Sequence, residues 1–217
     1  MNCYGNIFGK VTITNTRRIK LYLTDIAEGY RRIFDNVFKW IEERTIWHKI
    51  ALSMGFAVLT GIMAQIRIPL PFTPVPITGQ VFAVLLSAIF LGGYFGALSQ
   101  LFYVIIGIAI VPWFSGGLGG FAVIKGLTGG YLIGFIPSAL FIGLLTNRYV
   151  VFRKFHFQVM LMMIGVLIIY VFGSAQVAFL MRLGVSDTIR IAVIPFIAVD
   201  LMKAIIVACI STSVLPK

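Results

Sequence analysis

From residue 50 onward the chain alternates long apolar runs with short breaks rich in polar residues, glycine or proline. Six runs approach the ~20 residues a helix needs to cross the hydrocarbon layer of a bilayer. They cover approximately 50–66, 79–92, 94–112, 128–146, 157–180 and 191–214. Ahead of them, residues 25–47 follow a different pattern. Ile26, Tyr30, Ile33, Phe34, Val37 and Ile41 recur at helical spacing while Arg31, Arg32, Lys39 and Arg44 take other positions, which predicts an amphipathic helix. Asp25 and Glu28 have the spacing of a capping box, although Gly29 weakens the helix by about 1 kcal/mol. With Trp40 and Trp47 nearby, this basic helix either lies on the membrane surface or packs on protein at the cytosolic side. The pattern thus predicts an all-α integral membrane protein. Residues 1–47 form an N-terminal extension with an amphipathic helix, and 48–217 form a six-helix membrane domain.

Composition strengthens this reading. The apolar fraction is 59%, above the usual globular range. Residues 1–49 hold nine of the eighteen Lys and Arg and five of the seven acids, so beyond Lys49 only Asp187 and Asp200 are acidic. The net charge of +11 does not point to nucleic acid, because the basic residues flank apolar runs and form no dense tract. Cys3 and Cys209 stand at opposite ends of the chain, with no disulfide framework and no CxxC metal motif. Residues 1–20 lack a continuous apolar core, so no cleaved signal peptide is expected.

Loop charge orients the spans. With both termini inside, the inner side holds the nine early basic residues, Arg148, Arg153, Lys154 and Lys217. The outer side holds Arg67, Lys125, Arg182 and Arg190. Thirteen against four predicts cytoplasmic termini and a multi-pass protein of the cell membrane. Both irregular segments then fall outside. In "RIPLPFTPVPITGQ" (67–80), prolines 69, 71, 74 and 76 forbid helix and favour an extended, stiff loop. "PWFSGGLGGFAVIKGLTGGY" (112–131) is too glycine-rich to span and too apolar for a solvated loop. Irregular backbone at membrane depth is tolerated where it lines a cavity.

Asp200 and Lys203 interrupt the last apolar run, three residues apart on one helix face. At a helix centre each charge costs about 2.5–3.5 kcal/mol on insertion scales. Either the pair is a structural bridge or it marks a binding site below the two outer loops. Ser53, Ala57 and Gly61 form a stripe of small residues at i, i+4, i+8, suited to close approach by a partner helix or by one of the chain's own. "GNIFGKVT" (5–12) imitates a phosphate-binding loop but has three residues between its glycines and Val11 after the Lys. ATP hydrolysis is therefore not expected of this chain. His48 and His156 flank spans with no nearby acid, so neither a metal site nor enzyme chemistry is expected.

Residues 73–135, "TPVPITGQVFAVLLSAIFLGGYFGALSQLFYVIIGIAIVPWFSGGLGGFAVIKGLTGGYLIGF", resemble the BioY biotin transporters, as does "PFIAVDLMKA" at 195–204. The resemblance covers about 48–214, with Gly79, Leu127 and the "AVD" before Lys203 departing from the family's usual residues. It implies the substrate-capture (S) component of an energy-coupling-factor importer. Such a component takes biotin from the outer face and works with a transmembrane coupling protein and two ATPase subunits, without a cofactor of its own. It also implies a substrate site drawn from Asp200, Lys203, Gln80, Trp113, Phe114, Gly116, Gly117, Lys125 and Tyr131. The stripe Ser53, Ala57, Gly61 is the candidate docking surface, and 67–80 the candidate lid. An acceptor-only carboxylate beside a donor-only ammonium complements the two N–H donors and one carbonyl of a ureido ring. The tail carboxylate would then be left near the outer water. Capture of another small vitamin or heterocycle is the alternative, and an intramembrane enzyme or small channel belongs to a different class again.

Overall fold

The computed structural model describes residues 45–214, so all but the last residues of the amphipathic helix expected over 25–47 lie outside the described residues. Helix α1 runs Ile46–Gln65. A ribbon of β1 (Arg67–Leu70) and β2 (Thr73–Thr78) leads into α2 (Gln80–Ala109). A short α3 (Phe121–Lys125) precedes α4 (Gly129–Arg148). A single 3-10 turn then leads to α5 (Phe155–Met181), α6 (Val185–Ala192) and α7 (Ile194–Val214). Helices α1, α2, α4, α5 and α7 are long and apolar enough to cross a membrane. The chain is a multi-pass membrane protein, and among the described residues the ribbon is the one paired-strand element beside the helices. Ile105, Leu167, Val171 and Met202 are each more than half exposed. Facing water, such surfaces would drive association; facing acyl chains, they are matched to their solvent.

Five helices of spanning length stand where six runs were expected, because 79–92 and 94–112 join into α2. The element is not straight. Gly92 has φ 76° and ψ −178°, outside the helical region, and divides α2 into two arms. Gln80 Nε2 donates to Tyr103 Oη at 2.8 Å across the break, although 23 residues of straight helix would separate them by about 34 Å. Gln100 Nε2 likewise reaches Ser87 Oγ at 3.0 Å, and Gly96 lies against Ala88. The arms lie side by side. Glycine serves at 92 because its φ is positive and Asn147 occupies the space a side chain would need.

The stripe Ser53, Ala57, Gly61 turns inward. Ser53 and Ala57 are fully buried, Ser53 Oγ donates to Phe95 O at 3.0 Å, and Gly61 underlies the Trp113 ring. Of its two uses, internal packing is realised, and the outward face of α1 carries Met54, Val58 and Ile62 instead. Helix α4 is central. Its Gly143 meets the α2 break at Gly92 and Gly93, while Gly130 and Gly134 sit against Phe172 and Ile169 of α5. Close approach of this kind replaces the hydrophobic driving force that lipid cannot supply between helices.

Two loop expectations change. The extended, stiff loop expected over 67–80 folds back on itself as a paired ribbon, with Arg67 opposite Thr78, Ile68 opposite Ile77 and Leu70 opposite Thr73. A two-stranded ribbon has only edges, so prolines lacking an N–H are accommodated, and the register shifts between Ile68 and Leu70, around Pro69. The last run does not begin at 191. Val193 leaves the helical region (φ −131°, ψ −60°), so Ile191 and Ala192 end α6 and α7 starts at Ile194.

Candidate functional site

A cavity of about 220 Å³ opens beneath the ribbon. Residues from several parts of the fold meet there. The ribbon supplies Val75 and Thr78, the first arm of α2 Gln80 and Val81, and the loop after α2 Phe114 and Ser115. Helix α4 supplies Tyr131 and Phe135, and Tyr170 of α5 faces Asp200 and Lys203 of α7. Most of the lining is apolar, with a few convergent polar groups, as in sites for small organic ligands.

The polar floor follows from helix geometry. Asp200 and Lys203, at i and i+3, place Nζ 2.6 Å from Oδ1. Tyr170 donates its hydroxyl to Asp200 Oδ2 at 2.7 Å, and Lys203 Nζ donates also to Thr78 O at 2.7 Å. Asp200 is 3% exposed, so its compensation by the ammonium and the phenol is what permits a buried carboxylate. An ammonium has three donors and a carboxylate about four acceptor sites. Two donors and two acceptor sites are used, leaving both groups capacity for a ligand that offers donors and an acceptor side by side.

The sequence-derived residues separate into two sets. Asp200, Lys203, Gln80, Phe114 and Tyr131 line the cavity. Gln80 is already engaged, accepting from Thr78 Oγ1 at 2.9 Å and donating to Tyr103, which fixes the junction of ribbon and helix. Tyr131 donates to Ala192 O at 2.7 Å, tying α4 to the end of α6.

Trp113, Gly116, Gly117 and Lys125 are not brought into the lining. Trp113 stacks behind it, donating Nε1 to Tyr103 O at 2.9 Å with its ring 5.5 Å from that of Tyr103. Gly116 and Gly117 both have positive φ and shape the turn after Ser115, where Gly117 N donates to Gln65 Oε1 at 3.1 Å. Lys125 lies with Nζ 5.0 Å from the centre of the Phe121 ring.

Sequence reasoning did not find Tyr170, Arg67, Ser115 or the Thr78 carbonyl. Tyr170 carries the only phenol of its apolar run, a weak signal that was available. A backbone carbonyl leaves no trace in sequence.

Residues 36–217 match the sequence model of the BioY family. The chain is 38% identical over 144 residues to the probable biotin transporter BioY of Methanothermobacter thermautotrophicus, covering 61% of this chain and 88% of that protein. It is 38% identical over 156 residues to the biotin transporter BioY of Thermotoga maritima, covering 72% and 89%. Its fold is like that of the S-component for biotin from an ECF-type ABC transporter, with TM-score 0.72 at 22% identity over 78% of this chain and 93% of that one.

Proposed function

Because this chain belongs to the BioY family, we propose that it is the membrane-embedded biotin-binding S component of an energy-coupling-factor importer. Relatives at this level of identity are transporters, which places the chain among transport components rather than enzymes. The observation that carries the substrate is the Asp200–Lys203 pair at the floor of an otherwise apolar cavity. A ureido ring is neutral and presents two N–H donors flanking a carbonyl. Against the floor, one of its donors meets the Asp200 carboxylate and its carbonyl meets the Lys203 ammonium. A neutral head leaves the pair's charges balanced. A carboxylate docked on Lys203 would instead compete with Asp200 for it, at a cost that rises in low dielectric. The fused ring and aliphatic chain of biotin suit the apolar walls.

Six crossings with cytoplasmic termini remain our topology, with each arm of α2 as one crossing. The side-by-side arms and the excess of inner basic residues support it. Energy comes from partners, a transmembrane coupling protein and two ATPase subunits, in keeping with the failed phosphate-loop match at 5–12.

Purified protein tests the reading. Mass spectrometry of small molecules extracted from it should recover biotin, and added biotin should bind at one equivalent and be returned unchanged. A different heterocycle at full occupancy, chemical turnover, or solute flux through liposomes holding this chain alone would each replace the proposal with a specific rival.

The ribbon is our candidate cover. It roofs the cavity, and Lys203 holds its last residue through the Thr78 carbonyl. Biotin should slow labelling of single cysteines introduced at Pro74 or Pro76 by at least severalfold. Equal labelling rates with and without saturating biotin would remove the lid assignment.

A further inference from the structure

The charged lining of the cavity does not sum to zero. Its formal charges are Arg67, Lys203 and Asp200. Lys203 and Asp200 neutralise one another at 2.6 Å, so Arg67 remains as one uncompensated positive charge. Among the described residues its guanidinium has no carboxylate partner. Arg67 is exposed where Asp200 is buried, which places it at the solvent side of the cavity. Its guanidinium lies directly against Gly116, a residue with φ +82° and no side chain to displace it. Beside Gly116, Ser115 also lines the cavity, and its hydroxyl is buried with no hydrogen-bond partner. A forked donor and an orphan hydroxyl therefore border one end of a cavity whose floor is electrically balanced.

We propose that Arg67, assisted by Ser115, is a specificity-determining subsite for the carboxylate of the ligand, making the preferred ligand a monoanion with a neutral polar head. The proposal rests on the assignment of biotin above, whose ring supplies the head and whose aliphatic chain ends in a carboxylate. A planar guanidinium matches a carboxylate with two parallel N–H donors, which an ammonium at the same place cannot do. Because Arg67 is in contact with solvent, the effect is moderate and sensitive to salt.

The test compares biotin with its primary amide on purified protein, by direct binding titration. Wild type should prefer biotin about tenfold, as expected for a hydrogen-bonded charge pair. In Arg67→Gln the preference should fall to near unity, because biotin then binds no better than the amide. Arg67→Lys should retain a preference, reduced in size and weakened further by added salt.

Equal affinity of wild type for both ligands overturns the subsite without any variant. An undiminished preference in Arg67→Gln overturns the role of Arg67, and so does a preference of unity in Arg67→Lys. Failure of wild type to bind either ligand would count against the biotin assignment itself, which keeps the two failures distinguishable.

Discussion

Asp200→Asn and Lys203→Met should each lower biotin affinity by two to three orders of magnitude, about 3–4 kcal/mol, when titrated on purified protein. The size follows from the surroundings. Asp200 is buried and Lys203 nearly so, with 14% of its side chain exposed. Each holds the other, so either substitution leaves a lone charge and also removes half of the ureido complement. Tyr170 and Thr78 O do not substitute, since a phenol and a carbonyl carry no formal charge. The double variant separates the two losses. With no charge left, its thermal stability should recover above that of either single variant, while binding stays lost. If both single variants bound biotin within threefold of wild type, the floor would be a structural bridge and the ligand would sit elsewhere.

Gly143→Val should abolish recovery of folded protein, read as the monodisperse fraction in size-exclusion chromatography of membrane extracts. A side chain at 143 would fall on backbone atoms of the α2 break, with its Cβ 2.5 Å from Gly92 C and 2.6 Å from Gly93 Cα. Overpacking by one methylene usually costs about 1–3 kcal/mol, and here the obstacle is main chain that cannot rotate aside. Gly92→Val should be nearly as severe, because a β-branched residue at φ 76° is strained before it meets Asn147. Gly55 is the control, with open space around its would-be Cβ on the exposed side of α1, and Gly55→Val should be tolerated. Wild-type recovery of Gly143→Val would mean that α2 and α4 do not meet in this way.

The contrast between 143 and 55 also shows what sequence alone conveys. Apolar runs located the bundle, because the membrane imposes length and composition one segment at a time. Asp200 and Lys203 were legible for a similar reason: their spacing is local to one helix. Gly92 was not. "GGYF" reads as an ordinary connection, and only the partners of Gly92 on α4 show why no other residue serves there. The ribbon was half legible, since proline dictates extension but not which strand lies opposite. Tyr170 and Arg67 depend on partners 30 or more residues away, a relation that no periodicity encodes. Trp113 and Lys125 show the converse, residues of suggestive type that local packing turns elsewhere.

The intrahelical bridge on α7 also bears on how the protein is made. Helices enter the bilayer in chain order, and α7 is the last of the described helices to do so. Its tertiary partners Thr78 and Tyr170 belong to segments synthesised earlier, so they cannot assist until α7 has already left water. Two separate charges would raise the cost of that transfer by about 5–7 kcal/mol on insertion scales. Placed three residues apart, Asp200 and Lys203 can close on one another within the nascent helix and present the translocation machinery with a dipole rather than two ions. Moving Lys203 to the opposite face of α7 would therefore impair biogenesis before it impaired the site.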